Sequence, residues 1–95
     1  MAHGQRVRVA GVVICRQRPG SAKGVLFMTL EDEDGMTNVV VMPDVFAANR
    51  LLIATASALE VVGTLERHRG VLNVLGAEFV ALGQVRAGPR ARSFR

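Results

Sequence analysis

The feature that most constrains this chain is the order of its apolar runs. Short valine-rich segments, each closed by glycine or a turn dipeptide, follow one another as three strands, a short helix and two more strands. β-branched side chains fit a pleated sheet, and the turn residues fix where each run ends. The first run, Arg6 to Cys15, alternates at Arg6-Val7-Arg8-Val9 and becomes continuous after Gly11. A glycine inside a strand pattern marks a bulge or bend. A long first strand bent there can serve both halves of a small barrel.

Residues 16–24, RQRPGSAKG, form a loop around the turn dipeptide Pro19-Gly20. The second strand, Val25 to Glu31, sets Leu26, Met28 and Leu30 on one face and Val25, Phe27 and Thr29 on the other. Asp34-Gly35 signals a hairpin into the third strand, Met36 to Met42. Pro43-Asp44 opens a helix, since proline is tolerated in the first turn and an early acid suits the helix dipole. Residues 45–54 continue it, with Val45, Phe46, Leu52 and Ile53 as core candidates. The fourth strand, Ala58 to Glu66, contains Gly63. Arg67-His68-Arg69-Gly70 turns the chain into a fifth strand that runs from Val71 through Leu75 toward Leu82.

Five short strands in an open sheet would leave exposed edges, and closing the sheet removes them. The order therefore predicts an all-β fold, a five-stranded Greek-key OB-fold barrel with a short helix between strands 3 and 4. At 95 residues and 49% hydrophobic, the chain holds one globular domain. Residues 1–5 read as an N-terminal lead, 6–83 as the OB domain and 84–95 as a basic, flexible tail. The net charge is +4, but Arg86, Arg90, Arg92 and Arg95 all lie in that tail. Setting them aside leaves 8 basic side chains against 8 acidic ones, from the 12 and 8 of the whole chain. Overall basicity thus says little about nucleic acid, and local clustering has to decide.

Cys15 is the single cysteine, so no internal disulfide forms. No apolar run approaches the roughly 20 residues that span a bilayer, and the first residues carry no apolar signal core. The expected setting is the cytoplasm, with no membrane partner. Glu31 to Asp34 is the one acidic cluster, and it sits on a turn rather than on rigid strands around metal ions. EF-hand spacing, Walker, zinc-ligand and nucleophile-elbow patterns are missing from the sequence. Cys15 lies in an apolar strand, and His68 has only His3 in the lead as a fellow histidine. The expectation is a non-catalytic domain with no metal site and no cofactor.

The segment from Val7 to Phe46 resembles the C-terminal OB domain of bacterial C-family DNA polymerase III α subunits, in particular the error-prone branch. The pieces that carry the likeness are RQRPGSAKG in the first loop, FMTLEDEDG through the second strand and turn, and NVVVMPD leading into the helix. The likeness covers residues 6–83, and ARSFR at the end is also similar. It implies a domain excised from a longer polymerase whose catalytic carboxylates lie elsewhere, with Met1 to His3 carried over from cloning.

OB domains bind strands across the face of strands 2 and 3, flanked by the loops between strands 1 and 2 and between strands 4 and 5. Single-strand binding needs cations that follow phosphates and flat side chains on which bases stack. Arg16, Arg18 and Lys23, with Gln17 between, supply the cations, the alternative being a merely solvated loop. If Leu26, Met28 and Leu30 form the core, Phe27 points outward as a stacking platform; a one-residue slip would seal it inside instead. The resemblance extends to anticodon-binding OB domains of class II tRNA synthetases, where the corresponding aromatic has that part. The same parity turns Asn38, Val40 and Met42 outward and Thr37, Val39 and Val41 inward. Asn38 is a candidate for hydrogen-bonding a base edge, Val40 for lying under a sugar or base, and Thr29 for supporting them. Arg67 and Arg69 would close over a strand from the other loop. Phe46 and Phe79 read as core, so one platform and few phosphate contacts imply affinity about micromolar or weaker.

The leading expectation is a monomeric module that binds single-stranded DNA as part of an error-prone polymerase and contacts the template. Two alternatives stay open: a docking module for accessory polymerase subunits, or an RNA-binding domain of the anticodon type.

Overall fold

The computed structural model describes residues 4–18, 23–68 and 70–82, with only the backbone of His68. Met1 to His3, Arg69 and the expected tail at 84–95 lie outside them. Five strands and two short helices follow in order: β1 (Arg6–Gln17), β2 (Leu26–Asp32), β3 (Gly35–Val41), α1 (Pro43–Ala48), α2 (Arg50–Thr55), β4 (Ala58–His68) and β5 (Val71–Ala81). The strands close into a barrel in the order β1-β2-β3-β5-β4. Closure comes from a short parallel contact in which Val39 and Val40 of β3 pair with Val74 and Leu75 of β5. The remaining neighbours are antiparallel.

Strand β1 is long because it belongs to both halves. Arg6 to Val12 pair with β4, and Val12 to Gln17 pair with β2. At Gly11 the strand crosses so close to β2 that a Cβ would lie 2.7 Å from the carbonyl oxygen of Glu31. What requires a glycine here is this close approach of two backbones. The irregularity in pairing comes slightly later, between Val13 and Cys15, where Ile14 is the extra residue. Residues 4 and 5, expected to be a lead, are tied to the barrel: the Gly4 amide donates to Leu65 O at 2.7 Å, and the Leu65 amide to Gln5 O at 2.8 Å.

Among the described residues the core is wholly apolar. Leu26, Met28 and Leu30 from β2 and Val39 and Val41 from β3 meet Leu59, Val61, Leu65, Val74 and Phe79 from β4 and β5. Phe46 and Ile53 from the helices plug one end of the barrel. Full burial of such side chains stabilises the fold by about 1.5–3 kcal/mol each. Val45 and Leu52 are half-buried against this core rather than sealed within it.

The expected single helix is two. Asn49 breaks it with φ −126° and ψ 23°. Its side-chain Nδ2 donates to Val45 O at 2.9 Å, while its backbone amide reaches Val45 O and Phe46 O at 3.2 and 3.0 Å. A short amide side chain that competes for the helix's own carbonyls ends the first turn and restarts the chain in a new direction. The last hairpin is tighter than expected, because strand pairing continues as far as His68 and Val71.

Gly63 lies on β4 where the pairing to β5 shifts register, and a Cβ there would fall on the carbonyl oxygen and carbon of Leu75 and the Cγ1 of Val74. Backbone atoms cannot swing aside as a flexible side-chain tip can. Gly63→Ala should destabilise the chain by about 3 kcal/mol or more, read as a lowered urea midpoint. Val80→Ala, at an exposed position, should stay within about 0.5 kcal/mol.

Candidate nucleic-acid interface

The outer face of β2 and β3 is organised by cross-strand pairing. Phe27 lies opposite Gln17 of β1 on one side and Val40 of β3 on the other, and Val40 is level with Leu75 of β5. Directly opposed residues share a face, so these four side chains make one row. Leu26, Met28 and Leu30 are buried, and Phe27 remains 40% exposed. The alternation expected on β2 is the one observed, and the slipped register is not. The next row contains Cys15, Thr29 and Asn38. The Thr29 hydroxyl donates to Asn38 Oδ1 at 3.4 Å. That contact occupies the amide oxygen and leaves the Nδ2 hydrogens for another acceptor. Val39 and Val41 point inward, while Asn38 and Met42 are exposed and Val40 half-buried, as their parity requires.

The first-loop cations are distributed differently from the expectation. The extra residue at Ile14 changes the parity of β1, so Arg16 falls opposite Met28 on the inner side, whereas Gln17 falls opposite Phe27 on the outer side. Arg16 Nε donates to Ile53 O at 2.7 Å, and its Nη2 donates to Ala56 O. These carbonyls are left over at the end of α2, where a cation also complements the helix dipole. The structure therefore gives Arg16 the task of capping α2, and two of its donors are unavailable to a phosphate.

Arg18 is exposed at the end of β1, and its guanidinium lies 4.8 Å from the centroid of the Phe46 ring. Lys23 is exposed, adopts a left-handed φ of 55°, and makes no ion pair or hydrogen bond among the described residues. The end of its loop rests on the start of α1: a Cβ on Gly24 would be 3.4 Å from Pro43 Cγ. Lys23 and Gly24, the Phe27 row and α1 thus meet at one end of the barrel. Arg67 is exposed on β4 opposite Leu72, three residues along β5 from Leu75, which is about 10 Å at strand spacing. It lies toward the β2–β3 turn, and because Leu72 is an odd number of residues from the outward Leu75, parity sets Arg67 on the other side of the sheet from the Phe27 row. Arg69 lies outside the described residues.

One residue at this end is missed by reading the sequence. Arg50, the first residue of α2, has its guanidinium 5.8 Å from the same Phe46 ring. Nothing in a helical sequence pattern signals that two arginines 32 positions apart converge on one buried ring. Leu75 is likewise not foreseen as part of the Phe27 row, because the β3–β5 pairing that places it is non-local. No group of three or more His, Cys, Asp or Glu side chains is arranged to hold a metal among the described residues. No helix among the described residues is long and apolar enough to cross a membrane.

Residues 7–82 match the family described as OB-fold nucleic acid binding domain. The chain is 52% identical over 79 residues to an error-prone DNA polymerase of Caulobacter vibrioides, covering 83% of this chain and 7% of that one. It is 47% identical over 92 residues to an error-prone DNA polymerase of Mycolicibacterium paratuberculosis, covering 97% of this chain and 8% of the relative. The chain therefore spans less than a tenth of the length of these relatives. In fold it is similar to the asparaginyl-tRNA synthetase of Pyrococcus horikoshii in complex with asparaginyl-adenylate. The TM-score is 0.70 at 21% identity, over 84% of this chain and 19% of that one.

The capping of α2 by Arg16 has a measurable consequence. Arg16→Ala should destabilise the chain by about 1–3 kcal/mol through loss of its charged hydrogen bonds. Arg16→Lys should recover only part of this, because one ammonium cannot reproduce the fork. Chemical denaturation of the three proteins checks the order.

Proposed function

The chain belongs to the OB-fold nucleic-acid-binding family, and from that premise we propose that it binds single-stranded DNA as a module of a longer, cytoplasmic error-prone DNA polymerase, where it contacts the template strand. The observation that carries this reading is the exposed ring of Phe27, set between Gln17 and Val40 on a face that also presents Thr29 and Asn38. A flat ring in a shallow, half-polar row suits a base, which has two π-faces and a hydrogen-bonding edge. The base would stack on Phe27, its sugar would lie against Val40, and the Asn38 amide would donate to its edge. Arg18 and Lys23 would meet the adjoining phosphates. The likeness to error-prone polymerases over most of the chain supports DNA as the ligand.

One stacked ring and a few phosphate contacts give weak intrinsic binding. Within a larger polymerase, tethering would supply the effective concentration that the face itself lacks. A protein-docking reading draws on Leu51 and Met36, which are 76% and 68% exposed. An RNA reading draws on the fold shared with a tRNA synthetase.

Titration of labelled oligo-dT, oligo-U and duplex DNA at several salt concentrations separates the three. Oligo-dT should bind best, with an affinity that falls as salt rises. Phe27→Ala should weaken it by about 1–3 kcal/mol, and Arg18→Ala/Lys23→Ala should flatten the salt dependence. Preference for oligo-U would favour the RNA reading. Absence of binding to any nucleic acid would favour docking.

A further inference from the structure

We propose that Arg18 and Arg50 together form a second anion-binding point, off the sheet face, that holds a backbone phosphodiester of the strand stacked on Phe27; this rests on the single-strand-binding reading above. The two guanidinium groups come from different places in the chain, the residue just after β1 and the first residue of α2, yet both lie near one ring, at 4.8 and 5.8 Å from the Phe46 centroid. Phe46 is itself 8% exposed and anchored in the core, so its position is fixed by the barrel and not by a mobile loop. A buried ring cannot receive a base. It can hold cations by their flat sides, leaving the in-plane N–H donors for a ligand.

The arrangement lacks its counter-charge. Among the described residues the ion pairs are Arg6 with Glu78 and Arg8 with Glu60, and neither Arg18 nor Arg50 has a carboxylate within reach. The two guanidinium carbons can be no farther apart than the sum of their distances to the ring, on the order of a Debye length at moderate salt. An anion between them is attracted by both, and no carboxylate among the described residues competes for it. A phosphodiester offers two non-bridging oxygens, which suits a fork from each side.

Position identifies which anion. Arg18 follows Gln17, the direct neighbour of Phe27 across β1 and β2. Lys23 is brought to the same end by the packing of Gly24 on Pro43. The opposite end of the β2–β3 face carries Glu31, Asp32, Glu33 and Asp34. A polyanion seated on Phe27 is thus drawn toward the helices and away from the β2–β3 turn, and Arg50 extends its path onto the helical cap.

The experiment compares short oligo-dT, able to cover only the Phe27 row, with longer oligo-dT across a salt series, using the wild type, Arg50→Gln, Arg50→Lys and Phe27→Ala. Arg50→Gln should weaken long oligo-dT several-fold and reduce its log–log salt slope by roughly 0.7, one single-strand phosphate contact. Short oligo-dT should be unaffected, and Arg50→Lys should keep most of the slope. In the wild type, the Arg18 and Arg50 side-chain Nε–H resonances should shift together on adding long oligo-dT, which makes the test independent of variant stability. An unchanged slope and affinity in Arg50→Gln while Phe27→Ala still weakens binding would overturn this point and leave the sheet-face reading standing. Side-chain shifts with inorganic phosphate but none with oligo-dT would reassign the pair to a free anion and also overturn it. Loss of binding in Arg50→Gln with none in Phe27→Ala would instead sink the base-stacking reading.

Discussion

The whole barrel depends on β1 being shared between its two halves. Val12 pairs with Ala58 of β4 and with Glu31 of β2, so the strand must leave one neighbour and join the other within a few residues. That transfer brings two backbones together at Gly11, where a side chain would meet the Glu31 carbonyl. Once the strands have crossed there, the extra residue at Ile14 resets which side chains face out. Gln17 then joins Phe27 on the surface, and Arg16 turns to the α2 end of the barrel. The composition of the outward Phe27 row and the different surroundings of the loop cations both follow from this one crossing.

That division shows why a charge cluster is a poor proxy for a site. Four cations lie near the first loop and helices, and their surroundings set them different tasks. Arg16 completes the carbonyls at the end of α2. Arg18 and Arg50 are held against the ring of Phe46. Lys23 is exposed on a left-handed backbone. An arginine that must hold a helix in place is a weak candidate for a ligand that comes and goes, because moving it uncaps the carbonyls at the end of α2.

Strand identity and parity were legible in the sequence because both are local. Alternation at Leu26-Phe27-Met28 reports which side is wet wherever one face is buried, and the observed exposure of Phe27 follows from it. The interruption at Asn49 was not legible, since nothing in the run from Val45 to Ala54 shows that this amide will take its own helix's carbonyl. Nor was the fate of Arg16, which depends on a bulge that shifts parity by one residue. Leu75 and Arg50 joined the site through contacts between segments far apart in sequence, which local pattern cannot encode. Residues 4 and 5 looked like a lead because they lack apolar alternation, yet backbone hydrogen bonds to Leu65 do not need it.

The same separation of local from non-local shows how a shallow face is held in place. Its outward row is pinned from beneath by residues with almost no exposure, Met28, Leu30, Val39 and Val74, so Phe27 and Val40 have little freedom to lose when a ligand arrives. Rigidity of this kind improves discrimination more than strength, since a single ring offers limited contact area. A strand that has to move through a site is better served by contacts that are well placed and individually weak. Arginine pairs resting on a buried ring would fit that requirement: Arg18 and Arg50 already lie near Phe46, and a hold on phosphate through them would loosen with ionic strength rather than with unfolding.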